Sequence, residues 1–211
     1  MKPHYIVIHT AAWDGRGADV AIIRAWHIRR GWSDIGYHYV IIDDTHPDLP
    51  DGTLQQGRDE NTQGAHALGI NEQSIGICLA GNGDKHPPTR AQLDTLSALC
   101  TDICTRHQIL PGKIIGHREI NNLIQAGIIA APKTRKTCPG AHVDMAAIRA
   151  DVRARLASII GHAMTDETLL ATTTAVRCCT NSAPGAVIGI ALENNLTGET
   201  IKISEGDKKW Q

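Results

Sequence analysis

No stretch of this 211-residue chain approaches the ~20 consecutive apolar residues of a membrane-spanning helix, so membrane insertion is not expected. A basic block is missing too. The 21 lysines and arginines are scattered among 22 acidic residues for a formal charge of -1, and nucleic acid is therefore not the default partner. The opening "MKPHYIVIHTAAWDG" holds only a four-residue apolar run before His9, too short for a signal-peptide core. A chain that begins life in the cytoplasm is expected. There is no GxSxG elbow and no HxE with PCxxC, which removes serine hydrolases and nucleotide deaminases, and neither CxxC nor HExxH marks a zinc site. Internal repeats and low-complexity linkers are also absent.

What is present suits one full domain plus an appendage, since domains run to about 100 to 200 residues. Six cysteines allow three disulfides, but a chain neither small nor visibly exported has little need of a covalent framework, so most are expected as free thiols. Cys100 and Cys104 share a helix-periodic face with Leu93, Leu96 and Ile103, where cysteine serves as a small hydrophobe. Cys178 and Cys179 are adjacent in a predicted strand, point to opposite faces and share no chemistry.

"YIVIH" and "KIIGH" are short β-branched apolar runs that each end in histidine, and "GYHYVII" (36–42) and "SIGICLAG" (74–81) lie between them. All four read as buried strands. Helical patterns separate them: "DVAIIRAWHIRRG" starts at a capping Asp19 and stops at Gly31, and "TRAQLDTLSALCTDICTRH" opens with a Thr89 to Gln92 capping box. A last helix, 144–160, places Met145, Ile148, Val152, Leu156 and Ile159 on one core face. Strands alternating with helices predict an α/β domain over residues 1–160, its sheet covered on both sides, with chemistry at the strand ends. Residues 162–211 change character. "TTTAVRCC", "GAVIGIALENN" and "ETIKIS" predict a small β-rich extension, too short to bury much surface alone.

Eleven histidines are too many to share one function, and position sorts them. His9 and His117 each close a buried strand, so they converge if those strands are neighbours. Cys138, about twenty residues after His117 in the loop "TCPG", adds a third donor and completes a His, His, Cys set that leaves one tetrahedral zinc position open. Nearby Lys136 favours the thiolate. Each residue alone has a plain structural reading, as a satisfied strand-end histidine or an inert cysteine.

The stretches "IRAWHIRRGWSDIGYHYVI", "GRDENTQGAHALGINEQSIGICLAG", "GHRE" and "KTCPG" together resemble the zinc-dependent N-acetylmuramoyl-L-alanine amidases, in their phage lysozyme-type branch, which is related to peptidoglycan recognition proteins. The resemblance spans about residues 3–160 in the family's order. It implies a central mixed β-sheet flanked by helices and one Zn2+ per chain held by His9, His117 and Cys138. It also implies Tyr37 and Lys136 as active-site residues, and hydrolysis of the amide joining N-acetylmuramic acid to L-alanine in bacterial peptidoglycan. His66, in "GAHALG", falls on a loop histidine that lines the substrate cleft on this reading. Where some bacterial relatives carry a glutamate two residues beyond the "SIG" turn this chain has Cys78, which moves proton handling towards Tyr37 and Lys136.

The remaining histidines have bland readings. His38 is expected on the strand face opposite Tyr37, His27 packs beside Trp26 on a helix, and His4, His46, His86, His107, His142 and His162 suit surface or capping positions. Arg58 and Asn71 match family motifs but serve structure equally well. Two rivals remain: a peptidase with Cys138 as nucleophile and His117 as base, and a recognition module that binds peptidoglycan without cutting it. The missing export signal suits a phage or prophage endolysin, made in the host cytoplasm and reaching the periplasmic wall once another protein has breached the membrane. For the extension, structural support or oligomerisation is favoured over wall binding, because Trp210 is its only aromatic.

Overall fold

Six consecutive buried residues, Tyr5–Thr10, form β1, and burial on both faces is what a continuous β-branched run requires of a central strand. In the computed structural model, which describes residues 1–165, 191–194 and 199–202, with side chains through 160, β1 sits inside a five-stranded sheet. The other strands are β2 (Tyr39–Ile41), β3 (Leu54–Gln56), β4 (Ser74–Leu79) and β5 (Ile114–Gly116), in the order β3-β2-β4-β1-β5. Three pairings are parallel and β3 adds an antiparallel edge, so the fold is α/β with a mixed sheet flanked by helices.

Helix α1 (Val20–Arg29) begins where the Asp19 carboxylate accepts from the Ile22 amide. Helix α2 (Arg90–His107) opens on the expected box, with Thr89 and Gln92 capping each other reciprocally. Its stripe of Leu96, Cys100, Ile103 and Cys104 is buried, and both cysteines are free. Two shorter pieces follow: a 3-10 turn at His117–Glu119 and α3 (Ile120–Gln125). Helix α4 runs Met145–Thr165.

Alternation along the strands puts Tyr5, Val7 and His9 of β1 on one face with Gly76 and Cys78 of β4, their register partners. Two apolar clusters flank this face. One gathers Tyr5, Val7, Ile70, Ile115 and Ile120; the other gathers Val20, Ile23, Val40, Ile42 and Cys78. His9 lies between them.

The structure revises several sequence expectations. The strand expected over 36–42 is regular only at 39–41, because Gly36 presses against the Ala65 backbone and a Cβ there would lie 2.4 Å from the Ala65 carbonyl oxygen. Outside the ladder, strict alternation lapses. His38 and Tyr37 approach the same imidazole: the His38 ring packs edge-on against His66 at 5.6 Å, and the Tyr37 ring lies tilted to it at 6.4 Å. On α4, Met145, Ile148, Val152 and Leu156 are buried but Ile159 is 51% exposed, so the core face stops short of its last expected member.

The second unit, Arg153–Gln211, contains an antiparallel pair, β6 (Ala191–Asn194) with β7 (Glu199–Lys202). The strand expected at "TTTAVRCC", with Cys178 and Cys179, lies outside the described residues, as do His162's side chain and Trp210.

Candidate active site

Parallel pairing of β1 with β5 matches Ile8 to Gly116, so the next residues along, His9 and His117, stand side by side at the sheet rim. Their Nδ1 atoms are 3.2 Å apart. The Cys138 sulfur lies 3.6 Å from His9 Nδ1. All three donor atoms fall within 4.8 Å of one another. A tetrahedral zinc with bonds of about 2.0–2.1 Å to nitrogen and 2.3 Å to sulfur separates two nitrogens by about 3.3 Å, and nitrogen from sulfur by about 3.6 Å. The donor types and the two separations from His9 therefore fit such an ion.

Several residues hold these donors in place. The Arg118 amide donates to the Cys138 carbonyl, and its guanidinium donates to the carbonyls of Gly140 at 2.6 Å and Val143 at 3.1 Å. The Thr10 hydroxyl, one residue beyond His9, donates to the Pro139 carbonyl at 3.0 Å. Glu119 accepts from the Gly116 amide and pairs with Arg149, fixing the turn that carries His117. Thus "GHRE" supplies one candidate ligand, His117, with Glu119 bracing its turn and Arg118 bracing the loop of Cys138. Close backbone contact completes the loop: a Cβ at Gly83 would sit 2.0 Å from the Pro139 oxygen.

Burial dominates the electrostatics. It drives His9 well below 6.5, helped by His66, His117 and Lys136, and it takes His117 down to about 4, with Lys136 assisting. Both imidazoles are neutral at pH 7, as metal ligands must be. Lys136 does pull on Cys138, as the sequence suggested. Burial outweighs it, however, and pushes the thiol up to about 11, so without a cation Cys138 keeps its proton.

Tyr37 lies with its ring centre 5.0 Å from that of His9, and burial raises its hydroxyl well above 10. Cys78 is fully buried with Val40 and Ile42, and its thiol is likewise raised by burial. Lys136 is exposed and lines a cavity of about 430 Å³ with Trp32, His66, Asn71, His117 and Pro132. His66 is thus on the cleft wall, but it does more than line it: its Nδ1 is 3.1 Å from His9 Nε2.

Three supporting residues stood out only weakly in the sequence. His27 is buried and its Nδ1 accepts from the Gly36 amide, while its ring packs 4.4 Å from Trp32 and 5.5 Å from Tyr37. Asn71 Oδ1 accepts from the amides of His66 and Ala67. Arg58 donates to the carbonyls of Ile35 and Gln63, a structural role. A capping aspartate or box announces itself locally, whereas these pairings join segments that only the fold brings together.

A sequence profile described as N-acetylmuramoyl-L-alanine amidase matches residues 1–141. The endolysin of Escherichia phage T7 is 36% identical over 109 residues, 49% of this chain and 68% of that protein. Peptidoglycan-recognition protein SC2 of Drosophila melanogaster is 36% identical over 126 residues, 56% of this chain and 65% of that protein. Among solved structures, N-acetylmuramoyl-L-alanine amidase LysC from Clostridium intestinale URNW superposes with a TM-score of 0.58 at 28% identity, over 72% of this chain and 85% of that one.

Proposed function

Because the chain belongs to the N-acetylmuramoyl-L-alanine amidase family, we propose that it is a zinc-dependent hydrolase of the amide between N-acetylmuramic acid and L-alanine in peptidoglycan, working as a phage or prophage endolysin. The observation that carries this reading is the convergence of His9, His117 and Cys138: His9 stands at tetrahedral zinc distances from each of the other two, and all three donor atoms lie within 4.8 Å of one another. Zinc held there supplies Lewis acidity, making water a nucleophile at neutral pH and polarising the scissile carbonyl.

The chain's own residues do the rest. Lys136, on the cavity wall, offers a compact cation to the oxyanion that forms as the carbonyl is attacked. Tyr37, kept protonated by its burial, donates a hydrogen bond to the attacking water or the departing amine. No carboxylate stands at Cys78, so proton handling belongs to Tyr37 and Lys136. Residues 1–160 form the catalytic domain on this reading, and 162–211 an extension that supports it or links copies of the chain.

The endolysin relatives support the endolysin reading, on which the enzyme made in the host cytoplasm reaches the wall after another protein breaches the membrane. Among the described residues no helix is long and apolar enough to cross a membrane. A cysteine-nucleophile peptidase is disfavoured: with Cys138 at about 11 and His117 at about 4, the thiolate-imidazolium pair such chemistry uses is not formed near pH 7.

Digestion of purified peptidoglycan tests the proposal. New L-alanine amino termini should appear, vanish with chelator and return with zinc. Binding without new termini would mark a recognition module, and cleavage indifferent to chelator but blocked by alkylation would mark the thiol enzyme.

A further inference from the structure

A histidine that offers Nδ1 to a metal must carry its ring proton on Nε2. His9 turns Nδ1 towards His117 Nδ1 and the Cys138 sulfur, and its Nε2 meets His66 Nδ1 at 3.1 Å. His66 Nδ1 must then accept, which leaves the His66 proton on Nε2. That atom is buried and has no hydrogen-bond partner among the described residues; the Ser74 carbonyl is near enough to favour a charged ring without completing a bond. An unmatched buried donor is unfavourable, and an apolar side chain at 66 would remove it. Folding alone gives no reason for an imidazole here.

The surroundings are nevertheless built for it. Asn71 Oδ1 clamps the amides of His66 and Ala67 at 2.8 and 2.7 Å. Gly76 interrupts the β-branched run of β4, and a Cβ there would lie 2.5 Å from the His66 ring. A glycine inside a strand weakens it and commonly marks close approach by another group. His38, held between the Gly76 amide and the Thr62 carbonyl, closes the side with its ring 5.6 Å away.

We propose that His66 is the positioning residue of the metal centre: by accepting the His9 Nε2 proton it fixes the tautomer and ring orientation in which His9 Nδ1 binds the ion. Histidine ligands generally hand their second nitrogen's proton to a carboxylate or carbonyl. Here a neutral imidazole fills that place. The inference rests on the zinc reading above and extends it to a residue that does not itself touch the metal.

The test is zinc affinity of the full-length apo protein, measured by chelator competition, alongside its melting temperature. His66→Phe keeps a planar aromatic ring, slightly larger than imidazole, and removes both nitrogens. It should weaken zinc binding about 10- to 100-fold while the apo protein melts at the same temperature or higher. His66→Asn, whose side-chain oxygen reaches the place of Nδ1, should recover most of the loss. Equal affinity in wild type and His66→Phe, or equal losses in Phe and Asn, overturns the inference alone. A wild-type protein that binds no zinc overturns it together with the proposed function. Nitrogen-15 spectra of the zinc-loaded wild type give a readout free of substitution. His66 should appear as the Nε2–H tautomer, and an Nδ1–H signal contradicts the assignment.

Discussion

At the scale of the residue, Cys138 couples metal binding to protons. Its thiol is held up at about 11, chiefly by burial, while His9 and His117 are already neutral at pH 7. Loading a zinc therefore expels one proton, that of Cys138. Apparent zinc affinity should rise about tenfold per pH unit between roughly pH 5 and 6.5, above the titration of the imidazoles and below that of a zinc-bound water near 7, and calorimetry in that window, in buffers of different ionisation heat, should count one proton released. A count near zero would mean that the thiolate forms without the metal.

Tyr37 and Lys136 make a second prediction at this scale. Neither is among the three donors, so Tyr37→Phe and Lys136→Ala should retain zinc while kcat falls by about 10²- to 10³-fold. A fall accompanied by zinc loss would reassign them to holding the site. His9, His117 and Cys138 were legible because strand-end histidines and a Pro-Gly loop cysteine are conspicuous and a family motif names them. The service of His66 was not, because its partner lies 57 positions away and tautomers leave no mark on sequence.

At the scale of the element, the segment that carries His66 is tied to the rest of the sheet domain through Glu60. Its carboxylate accepts from the Tyr39 hydroxyl of β2 at 2.6 Å, and from Arg106 and His107 at the end of α2 at 2.8–2.9 Å. Arg106 foremost, against the opposing effect of burial, holds its carboxyl down at about 2. Below the ordinary carboxylate pKa of 4.5 the unfolded chain takes up protons that folded Glu60 refuses. The stability it contributes is thus complete above 4.5 and lost as pH falls towards 2. Glu60→Ala should cost on the order of 2–3 kcal/mol at pH 7 in a denaturant melt, with the gap from wild type closing over that acid window. A constant gap from pH 7 to 3 would contradict the linkage.

Elements were read unevenly, for physical reasons. Asp19 and the Thr89–Gln92 box are local hydrogen-bond chemistry, so α1 and α2 began where expected. β3 escaped notice because "LQQ" is three residues long, with only its middle residue half-buried and the other two exposed. Its place is set by pairing with β2 and not by any apolar run of its own. β2 was overextended because Gly36 and Tyr37 look like strand residues until the Ala65 backbone is seen against Gly36.

At the scale of the whole molecule, the parallel order β2-β4-β1-β5 turns three distant stretches of chain into one rim. Gly76 and Cys78 of β4 face Val7 and His9 of β1, so the imidazoles occupy a gap between two apolar clusters. Burial in that gap keeps the histidines neutral. Four motifs in order had pointed to the family; the strand order that makes them converge follows from packing, which no single motif carries.

Titration of the apo protein with zinc, following release of L-alanine amino termini from peptidoglycan, tests the account most directly. Activity should climb linearly and break at one zinc per chain for the wild type, with no rise for Cys138→Ser or His117→Ala over the same range. Activity that is full before any zinc is added, or that survives loss of either donor, would contradict it.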